Sequence, residues 1–330
     1  LDGTHGGRHQ GAGTATMATK VIASDERLCS WQLRVFGLLW GAYASYYLCR
    51  VNFAVAQPLI LREFPAWSSA QIGTIPSIYA ATYAAGQIVN ATLGERYGAR
   101  RLMTGALLIA AASNLLFAFA SSLNEMRVLW AINGWGQSAG WALMLQTLSE
   151  WNTSARRGTL IGWLSTSYQV GHVLSWLLAG FLCEAIGWRA AFAVPGLLLL
   201  PAALLFYLFL RDSPVEAGFP PVRDDAAAAA PAPDANSGWG STRHILRLTL
   251  SSRSLWILAL GYFVLNAVRY SFMNWSVQYM AEFHGRSIKD SVLTAIMIPL
   301  AGCLGAVSAG WVSDTLFGRR RAPVCVVMLL

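Results

Sequence analysis

The chain alternates between long apolar runs and short polar segments. Runs of roughly 20 residues, the length that crosses a hydrocarbon core as a helix, recur along it. They cover residues 33–57, 70–93, 103–122, 127–149, 159–183, 189–210, 254–281 and 290–313, and a further run begins at Ala322. Charged residues fall mainly between the runs, as expected where irregular backbone must stay out of lipid. The pattern predicts a multi-pass α-helical membrane protein.

A long polar segment separates the sixth run from the seventh. It covers residues 211–253 and contains an alanine run and a Pro-Ala-Pro sequence, a composition typical of a flexible linker. The sequence therefore predicts an N-terminal six-helix half at 29–210, a cytoplasmic linker, and a C-terminal half starting at 254–330 and truncated in its third helix. Residues 1–28 are rich in Gly, Ala and Thr, lack the apolar core of a secretory signal, and are predicted to be disordered.

Composition and charge narrow the function classes. Hydrophobic residues make up 55% of the chain and charged residues only 12%, which excludes a soluble domain of this size. The net charge of +8 does not indicate nucleic-acid binding, because the basic residues form short clusters between apolar runs. These clusters favour one side of the membrane, so the positive-inside rule predicts a cytoplasmic N-terminus. The five cysteines are scattered, without the spacing of a metal site, and we expect no metal and no cofactor.

A loop pattern occurs twice. After the second run the chain reads Gly-Glu-Arg-Tyr-Gly-Ala-Arg-Arg from Gly94, and after the eighth it reads Gly-Trp-Val-Ser-Asp-Thr-Leu-Phe-Gly-Arg-Arg-Arg from Gly310. This repeat resembles the major facilitator superfamily, whose loop signature is G-x-x-x-D-R-x-G-x-R-R. The resemblance implies an all-α membrane protein with two pseudo-symmetric six-helix halves, the second truncated here. The implied conformational loop residues are Glu95, Arg96, Gly98, Arg100, Arg101, Asp314, Gly318 and Arg319.

Two arginines lie well inside apolar runs. Arg50 is in the first run and Arg269 in the seventh, and an arginine at the centre of a membrane helix costs about 2.5–3.5 kcal/mol on insertion scales. All sixteen Asp and Glu residues fall in tails, loops or helix ends. We therefore expect an anion from outside to offset the charge, and the planar guanidinium suits phosphate oxygens. The alternative is that both side chains bind helix-end carbonyls or water.

Polar side chains recur on the helices that carry these arginines and on two others. The first helix has Tyr43 and Tyr46, the second Tyr83 and Gln87, the fifth Tyr168 and His172, and the seventh Tyr262 and Asn266. Spacings of three, four and seven put each set on one helix face, which predicts a polar cavity. No intramembrane carboxylate is available as a proton relay, so anion exchange is the simpler mechanism. His172 is the one candidate for proton coupling, and its alternative role is an interhelical hydrogen bond.

Three sequence blocks resemble the organophosphate:phosphate antiporter family. They are Tyr46–Phe53, Asn133–Trp141, and Val268-Arg269-Tyr270 followed by Asn274-Trp275-Ser276. In that family the matching arginines bind phosphate, and bridging between them draws the two halves together. The arginines implied by the resemblance, together with the polar helix faces and the second sequence block, give an expected substrate site of Arg50, Arg269, Tyr46, Tyr43, Gln87, Tyr83, Gln137, Tyr168, His172, Tyr262 and Asn266. The chain departs from the family pattern in having Gln87 for a lysine, Tyr168 for a histidine, and Ala142-Leu143 for two prolines.

The resemblance implies a function in transport. We expect exchange of a phosphorylated organic anion, such as glycerol-3-phosphate or a sugar phosphate, for inorganic phosphate by alternating access. The expected partners are these anions and the lipid bilayer, with no nucleic acid, and the protein is expected to be monomeric. Two alternatives are a sugar-phosphate sensor of the same fold that does not transport, and a carrier of another organic anion. The sequence has no hydrolase, metalloprotease or phosphate-loop motif, so we do not expect an enzyme.

Overall fold

A computed structural model describes residues 9–222 and 250–302, together with Arg247, Leu304, Gly305 and Ser308. Its side chains are described from Glu26 onward, Glu95 excepted. The regular elements of this part of the chain are all helical. They are α1 (His9–Leu48), α2 (Asn52–Glu63), α3 (Ser69–Tyr97), α4 (Ala99–Phe117), α5 (Leu123–Gln137), α6 (Gly140–Trp151), α7 (Ser154–Ala185), α8 (Ala190–Phe209), a short 3-10 helix (Val215–Ala217), α9 (Arg253–Phe283) and α10 (Ile288–Ala295).

Two of the predicted runs each form a pair of helices. The first run is interrupted between Leu48 and Asn52, and the fourth between Gln137 and Gly140. Other boundaries follow from local capping: Ser68 and Gln71 form a capping box at the start of α3, and Ser122 and Glu125 do the same at the start of α5.

The N-terminal region differs from the sequence prediction. Helix α1 begins at His9, so residues 9–28 are helical where disorder was predicted. This segment contains several alanines and no proline, and its two glycines, Gly11 and Gly13, lie within two turns of the helix start, so a helix can extend through it from the first apolar run. Residues 1–8, most of the predicted linker and the second copy of the loop motif with Asp314, Gly318 and Arg319 lie outside the described residues.

The buried side chains form two clusters at opposite ends of the molecule. We call the end at which α8 stops and α9 starts the linker end, and the opposite end the far end. At the linker end the cluster contains residues of the N-terminal half, including Leu39, Met103 and Trp151. At the far end it also contains Val277 and Val292 from the C-terminal half. The two halves therefore pack together at the far end and diverge toward the linker end.

Polar and small residues form the contact between the halves at the far end. The buried Gln57 side chain donates a hydrogen bond through Nε2 to Oε1 of the buried Gln278. Gln278 in turn donates through Nε2 to the Glu282 carboxylate, 2.8 Å away. Gly180 lies so close to Val292 that an added Cβ would meet its side chain at 3.2 Å. Such small residues let membrane helices approach closely.

Hydropathy of single helices identifies only part of the membrane domain. Within the described ranges, two helices are long and apolar enough to cross a bilayer by themselves: α8, with a mean hydropathy of 2.2, and α9, with 1.4. The first and fourth runs are each divided between two helices. Large apolar side chains are exposed on the outer surface, including Phe119, Phe181 and Leu204. Such a surface suits lipid rather than water.

Candidate functional site

A cavity of about 850 Å³ lies between the two halves. The N-terminal half contributes residues of α1, α2, α3, α6 and α7, and the C-terminal half contributes α9. The lining residues are Tyr43, Tyr47, Arg50, Val51, Ala54, Tyr83, Gln87, Trp141, Ser165, Tyr168, His172, Ala259, Tyr262, Phe263, Asn266, Ala267, Arg269, Tyr270, Met273 and Asn274. Both intramembrane arginines therefore lie at one site.

Arg50 is placed by the interruption between α1 and α2. The carbonyl of Cys49 accepts hydrogen bonds from Asn133 Nδ2 at 2.8 Å, Asn114 Nδ2 at 3.1 Å and Gln137 Nε2 at 3.1 Å. The indole Nε1 of Trp176 donates to the carbonyl of Val51 at 3.2 Å. Because free backbone carbonyls are costly away from water, these side chains make the interruption tolerable inside the membrane.

Asn52 fixes the start of the second segment. Its Nδ2 donates to Oδ1 of Asn114 at 3.0 Å and to the carbonyl of Ala191 at 2.9 Å. Asn52 and Asn114 are both fully buried. Helix α2 is thus tied to α4 and α8, and Arg50 is held between two anchored segments.

Three tyrosine rings surround the guanidinium of Arg50. Its Cζ lies 4.5 Å from the ring centre of Tyr83, 5.1 Å from that of Tyr47 and 5.6 Å from that of Tyr79. Aromatic faces attract cations without neutralising them. Within the described residues Arg50 has no ion pair with a carboxylate. Its positive charge remains available to a ligand.

Arg269 reaches the same cavity from α9. Its Cζ lies 5.8 Å from the ring centre of Tyr168, and among the described residues it too has no carboxylate partner. Two carboxylates of the far end have other partners: Glu63 pairs with Arg189 at 2.7 Å, and Glu282 accepts a hydrogen bond from Gln278. The cavity therefore holds two guanidinium groups and a surplus of positive charge.

His172 adds a largely buried polar side chain to the cavity wall. Only 5% of the residue is exposed, and its Nε2 has no hydrogen-bond partner in the described structure. Its ring packs against Trp176, with ring centres 4.6 Å apart. His172 and Tyr47 both lie within electrostatic range of the two arginines. The unpaired Nε2 is itself buried, so a ligand would reach it only if the surrounding side chains moved.

Most of the expected site residues line the cavity. They are Arg50, Arg269, Tyr43, Gln87, Tyr83, Tyr168, His172, Tyr262 and Asn266. The structure places Tyr46 elsewhere: its hydroxyl donates to the carbonyl of Met103 at 3.1 Å inside the linker-end cluster. The helical spacing that grouped Tyr46 with Arg50 does not apply, because α1 ends at Leu48. Gln137 also lies outside the lining and binds the Cys49 carbonyl instead.

Several lining residues were not identified from the sequence. Tyr47, Trp141, Tyr270 and Asn274 all face the cavity. Each lies in one of the three sequence blocks that carried the family resemblance, so these blocks held the signal. Tyr47 was missed because continuous helical spacing from Arg50 selects Tyr43 and Tyr46 instead.

The first copy of the loop motif forms a turn at the linker end. Gly98 has a φ of 81°, and the backbone N–H of Arg100 donates to Oδ1 of Asp212 at 2.7 Å. Burial raises the pKa of Asp212, and the bond from Arg100 opposes that rise. Arg96 and Arg100 lie over the rings of Tyr97 and Tyr207. The loop therefore joins the starts of α4 and of the segment after α8.

Comparisons with known proteins agree with this architecture. Residues 39–330 match the Major Facilitator Superfamily. A bacterial homolog of the human lysosomal transporter Spinster, solved in an inward-facing and unoccupied conformation, superposes with a TM-score of 0.73 at 19% identity, covering 88% of this chain and 64% of that one. A D-xylose–proton symporter superposes with a TM-score of 0.56 at 16% identity, covering 86% of this chain and 69% of that one.

Curated relatives identify the branch of this superfamily. A "Probable hexose phosphate transport protein" of Chlamydia pneumoniae is 30% identical over 312 residues, covering 91% of this chain and 68% of that protein. The "Membrane sensor protein UhpC" of Salmonella typhimurium is 30% identical, with coverages of 95% and 71%. The "Glycerol-3-phosphate transporter" of Bacillus subtilis is 28% identical, with coverages of 94% and 70%. The chain belongs to the major facilitator superfamily, and within it to the organophosphate:phosphate antiporter family.

Proposed function

We propose that this protein exchanges a phosphorylated organic anion, a sugar phosphate or glycerol-3-phosphate, for inorganic phosphate across a membrane. The observation that carries the proposal is the presence of Arg50 and Arg269 at one cavity with no carboxylate partner among the described residues. A phosphate group supplies both the missing charge and oxygens that match the guanidinium donors. The relatives named for hexose phosphate and glycerol-3-phosphate support this substrate class.

The charge arrangement favours exchange. An empty cavity with two uncompensated guanidinium groups is costly to enclose in a low-dielectric region, whereas a cavity occupied by a phosphate is close to neutral. Closure around either phosphate or the organophosphate is therefore favoured, and closure of the empty cavity is disfavoured. A carrier that changes conformation only when loaded is an exchanger.

The arrangement of the halves supports alternating access. Packing at the far end closes that end, and the cavity lining extends along α9 to Ala259, toward the linker end. We propose that the linker end is cytoplasmic, so that this conformation is inward-facing. Among the described residues, six basic loop residues lie at that end, in agreement with the positive-inside rule: Arg96, Arg100, Arg101, Arg156, Arg157 and Arg211.

Counterflow in proteoliposomes tests the proposal. The intact protein is reconstituted into vesicles loaded with unlabelled phosphate, and uptake of labelled phosphate is followed with and without external glucose-6-phosphate or glycerol-3-phosphate. We expect uptake that depends on internal phosphate and is inhibited by at least one organophosphate. Uptake into vesicles without internal phosphate at the same rate would contradict exchange.

A sensor is the second candidate, because the chain is 30% identical to a membrane sensor protein over 95% of its length. A sensor would bind sugar phosphate at the same cavity and show negligible counterflow. Equilibrium binding of labelled phosphate in the same vesicles separates the two functions. A carrier of another organic anion, as the relationship to a probable sulfoacetate transporter suggests, would be inhibited by that anion and not by organophosphate.

A further inference from the structure

The side chain of Gln137 connects two parts of the Arg50 environment. Its Nε2 donates to the carbonyl of Cys49, the residue immediately before Arg50, at 3.1 Å. Its Oε1 accepts a hydrogen bond from the Tyr79 hydroxyl, also at 3.1 Å. The ring of Tyr79 is one of the three that face the Arg50 guanidinium. One buried amide thus contacts both the backbone that carries Arg50 and a ring that faces its charge.

The surrounding contacts make this geometry specific. Gln137 is 2% exposed and Tyr79 is 8% exposed. Nε2 of Gln137 also donates to Oδ1 of Asn133 at 3.0 Å, and Asn133 itself donates to the Cys49 carbonyl. The orientation of the Gln137 amide is therefore fixed by donors and acceptors on both sides. A residue that bound substrate directly would need a free polar atom toward the cavity, and Gln137 does not line it.

We propose that Gln137 is a positioning residue that holds the Arg50 guanidinium in the orientation that binds phosphate. This inference rests on the proposed function, because its effect is measured as phosphate binding and exchange. The contacts of Gln137 themselves do not depend on that function. The N–H of Arg50 still donates to the carbonyl of Tyr47 at 3.2 Å, but the carbonyl of Cys49 is bound by side chains instead of by a helical N–H, so these side chains constrain the backbone at this point. Gln137 supplies part of that constraint from α5, together with Asn114 and Asn133.

A double-mutant cycle tests the connection through Tyr79. Gln137→Met keeps a side chain of similar length and removes all three hydrogen bonds of the amide, whereas Tyr79→Phe removes only the hydroxyl. We expect Gln137→Met to weaken phosphate binding by about ten-fold, the value of one net buried hydrogen bond, with a smaller effect on the maximal exchange rate. The double variant should bind no more weakly than Gln137→Met alone. Gln146→Met is the matched control, because the Gln146 side chain makes no hydrogen bond within the described residues and lies outside the cavity lining.

Chemical modification provides a readout that needs no transport. Phenylglyoxal reacts with accessible arginines, and mass spectrometry compares its rates at Arg50 and Arg269 in the same molecule. We expect Gln137→Met to change the rate at Arg50 several-fold and to leave that at Arg269 unchanged. An unchanged Arg50 rate, or loss of folded protein with normal phosphate affinity in what remains, would overturn the positioning role. Failure of the unsubstituted protein to bind phosphate would instead contradict the proposed function, and the modification rates would still decide the role of Gln137.

Discussion

At the residue scale, the chemistry of the site depends on two guanidinium groups in unlike surroundings. Arg50 lies among three tyrosine rings and next to a heavily hydrogen-bonded backbone interruption. Arg269 lies on a continuous helix beside a single tyrosine ring. Since neither has a carboxylate partner in the described structure, both must obtain compensation from water or from a ligand. The planar guanidinium, rather than positive charge alone, is the property that distinguishes phosphate.

Arg50→Lys and Arg269→Lys should each reduce phosphate affinity at least about ten-fold, because lysine retains the charge but loses the paired donors. Equilibrium binding of labelled phosphate to purified variants measures the change. Arg62→Lys, on the exposed end of α2, is the matched control and should bind normally. If either cavity variant bound phosphate with unaltered affinity, the paired donors of the planar guanidinium would not be required.

Gly98 should tolerate no side chain. Its φ of 81° and ψ of 151° lie in a region that is essentially restricted to glycine, and an added Cβ would contact the Asp212 carboxylate. Gly98→Ala is expected to destabilise the protein by about 1–3 kcal/mol. Thermal unfolding in detergent measures the effect. Gly105→Ala provides the control, since a Cβ there meets no atom within 4 Å and helix α4 favours alanine. Equal unfolding temperatures for the two variants would contradict the strain argument.

At the element scale, the broken first span is the feature that defines the site. Its ends are held by side chains from α4, α5 and α7, so the position of Arg50 depends on helices far away in sequence. The interruption removes intrahelical hydrogen bonds, and buried amides replace them. Membrane proteins use such interruptions where a ligand must approach the backbone or a charged residue.

The sequence predicts the apolar runs and the two arginines within them because hydrophobicity and charge are local properties. It does not predict the interruption at Cys49–Val51, because no proline or glycine occurs there. The partners that stabilise it, Asn114 and Asn133, lie more than sixty residues away. Treating the run as one continuous helix therefore assigned Tyr46 to the cavity and omitted Tyr47.

An ion pair joins two elements at the far end and gives a pH-dependent contribution to stability. Arg189 and the Trp188 indole both donate to the Glu63 carboxylate, and the hydrogen bond from Arg189 is the main cause that lowers the pKa of Glu63. The contribution is therefore present above the ordinary carboxyl pKa of about 4.3 and is lost as the pH falls below it. With side-chain exposures of 45% for Arg189 and 39% for Glu63, solvent screening limits the value to about 0.5 kcal/mol.

Glu63→Gln should accordingly lower the unfolding temperature slightly at pH 7 and have no effect near pH 3, a comparison that differential scanning fluorimetry can make. Glu184→Gln, exposed at the same end, is the control and should change little at either pH. The unfolding temperatures of Glu63→Gln and the unsubstituted protein should converge as the pH falls. A difference that increased at low pH would contradict the proposed role of the ion pair.

At the scale of the whole molecule, the two halves meet through α9 and α10 at the far end and part at the linker end. The polar contact between Gln57 and Gln278 lies in this closed interface. Oε1 of Gln57 is buried with no hydrogen-bond partner in the described structure. A contact that leaves one acceptor unsatisfied holds the end closed without making opening prohibitively costly.

Gln278→Leu should shift the protein toward opening at the far end, because it leaves the Gln57 amide without its acceptor at a cost of about 1–3 kcal/mol. The shift can be measured as several-fold faster labelling, by an impermeant maleimide, of a cysteine introduced at the buried Ala281, with exposed Cys29 replaced by serine. Gln146→Leu at the linker end serves as the control. If the introduced cysteine were labelled as slowly as in the protein that retains Gln278, the glutamine pair would not be holding this end closed.

The central claim is that one phosphate group is bound by both arginines at once. Its most direct measurement is the protection of Arg50 and Arg269 from phenylglyoxal by increasing inorganic phosphate, quantified by mass spectrometry on the intact protein with exposed Arg62 as the unprotected reference. The account predicts that both arginines are protected with the same half-maximal phosphate concentration, while Arg62 reacts at a constant rate. Protection of only one arginine, or of neither, at phosphate concentrations that saturate binding would contradict it.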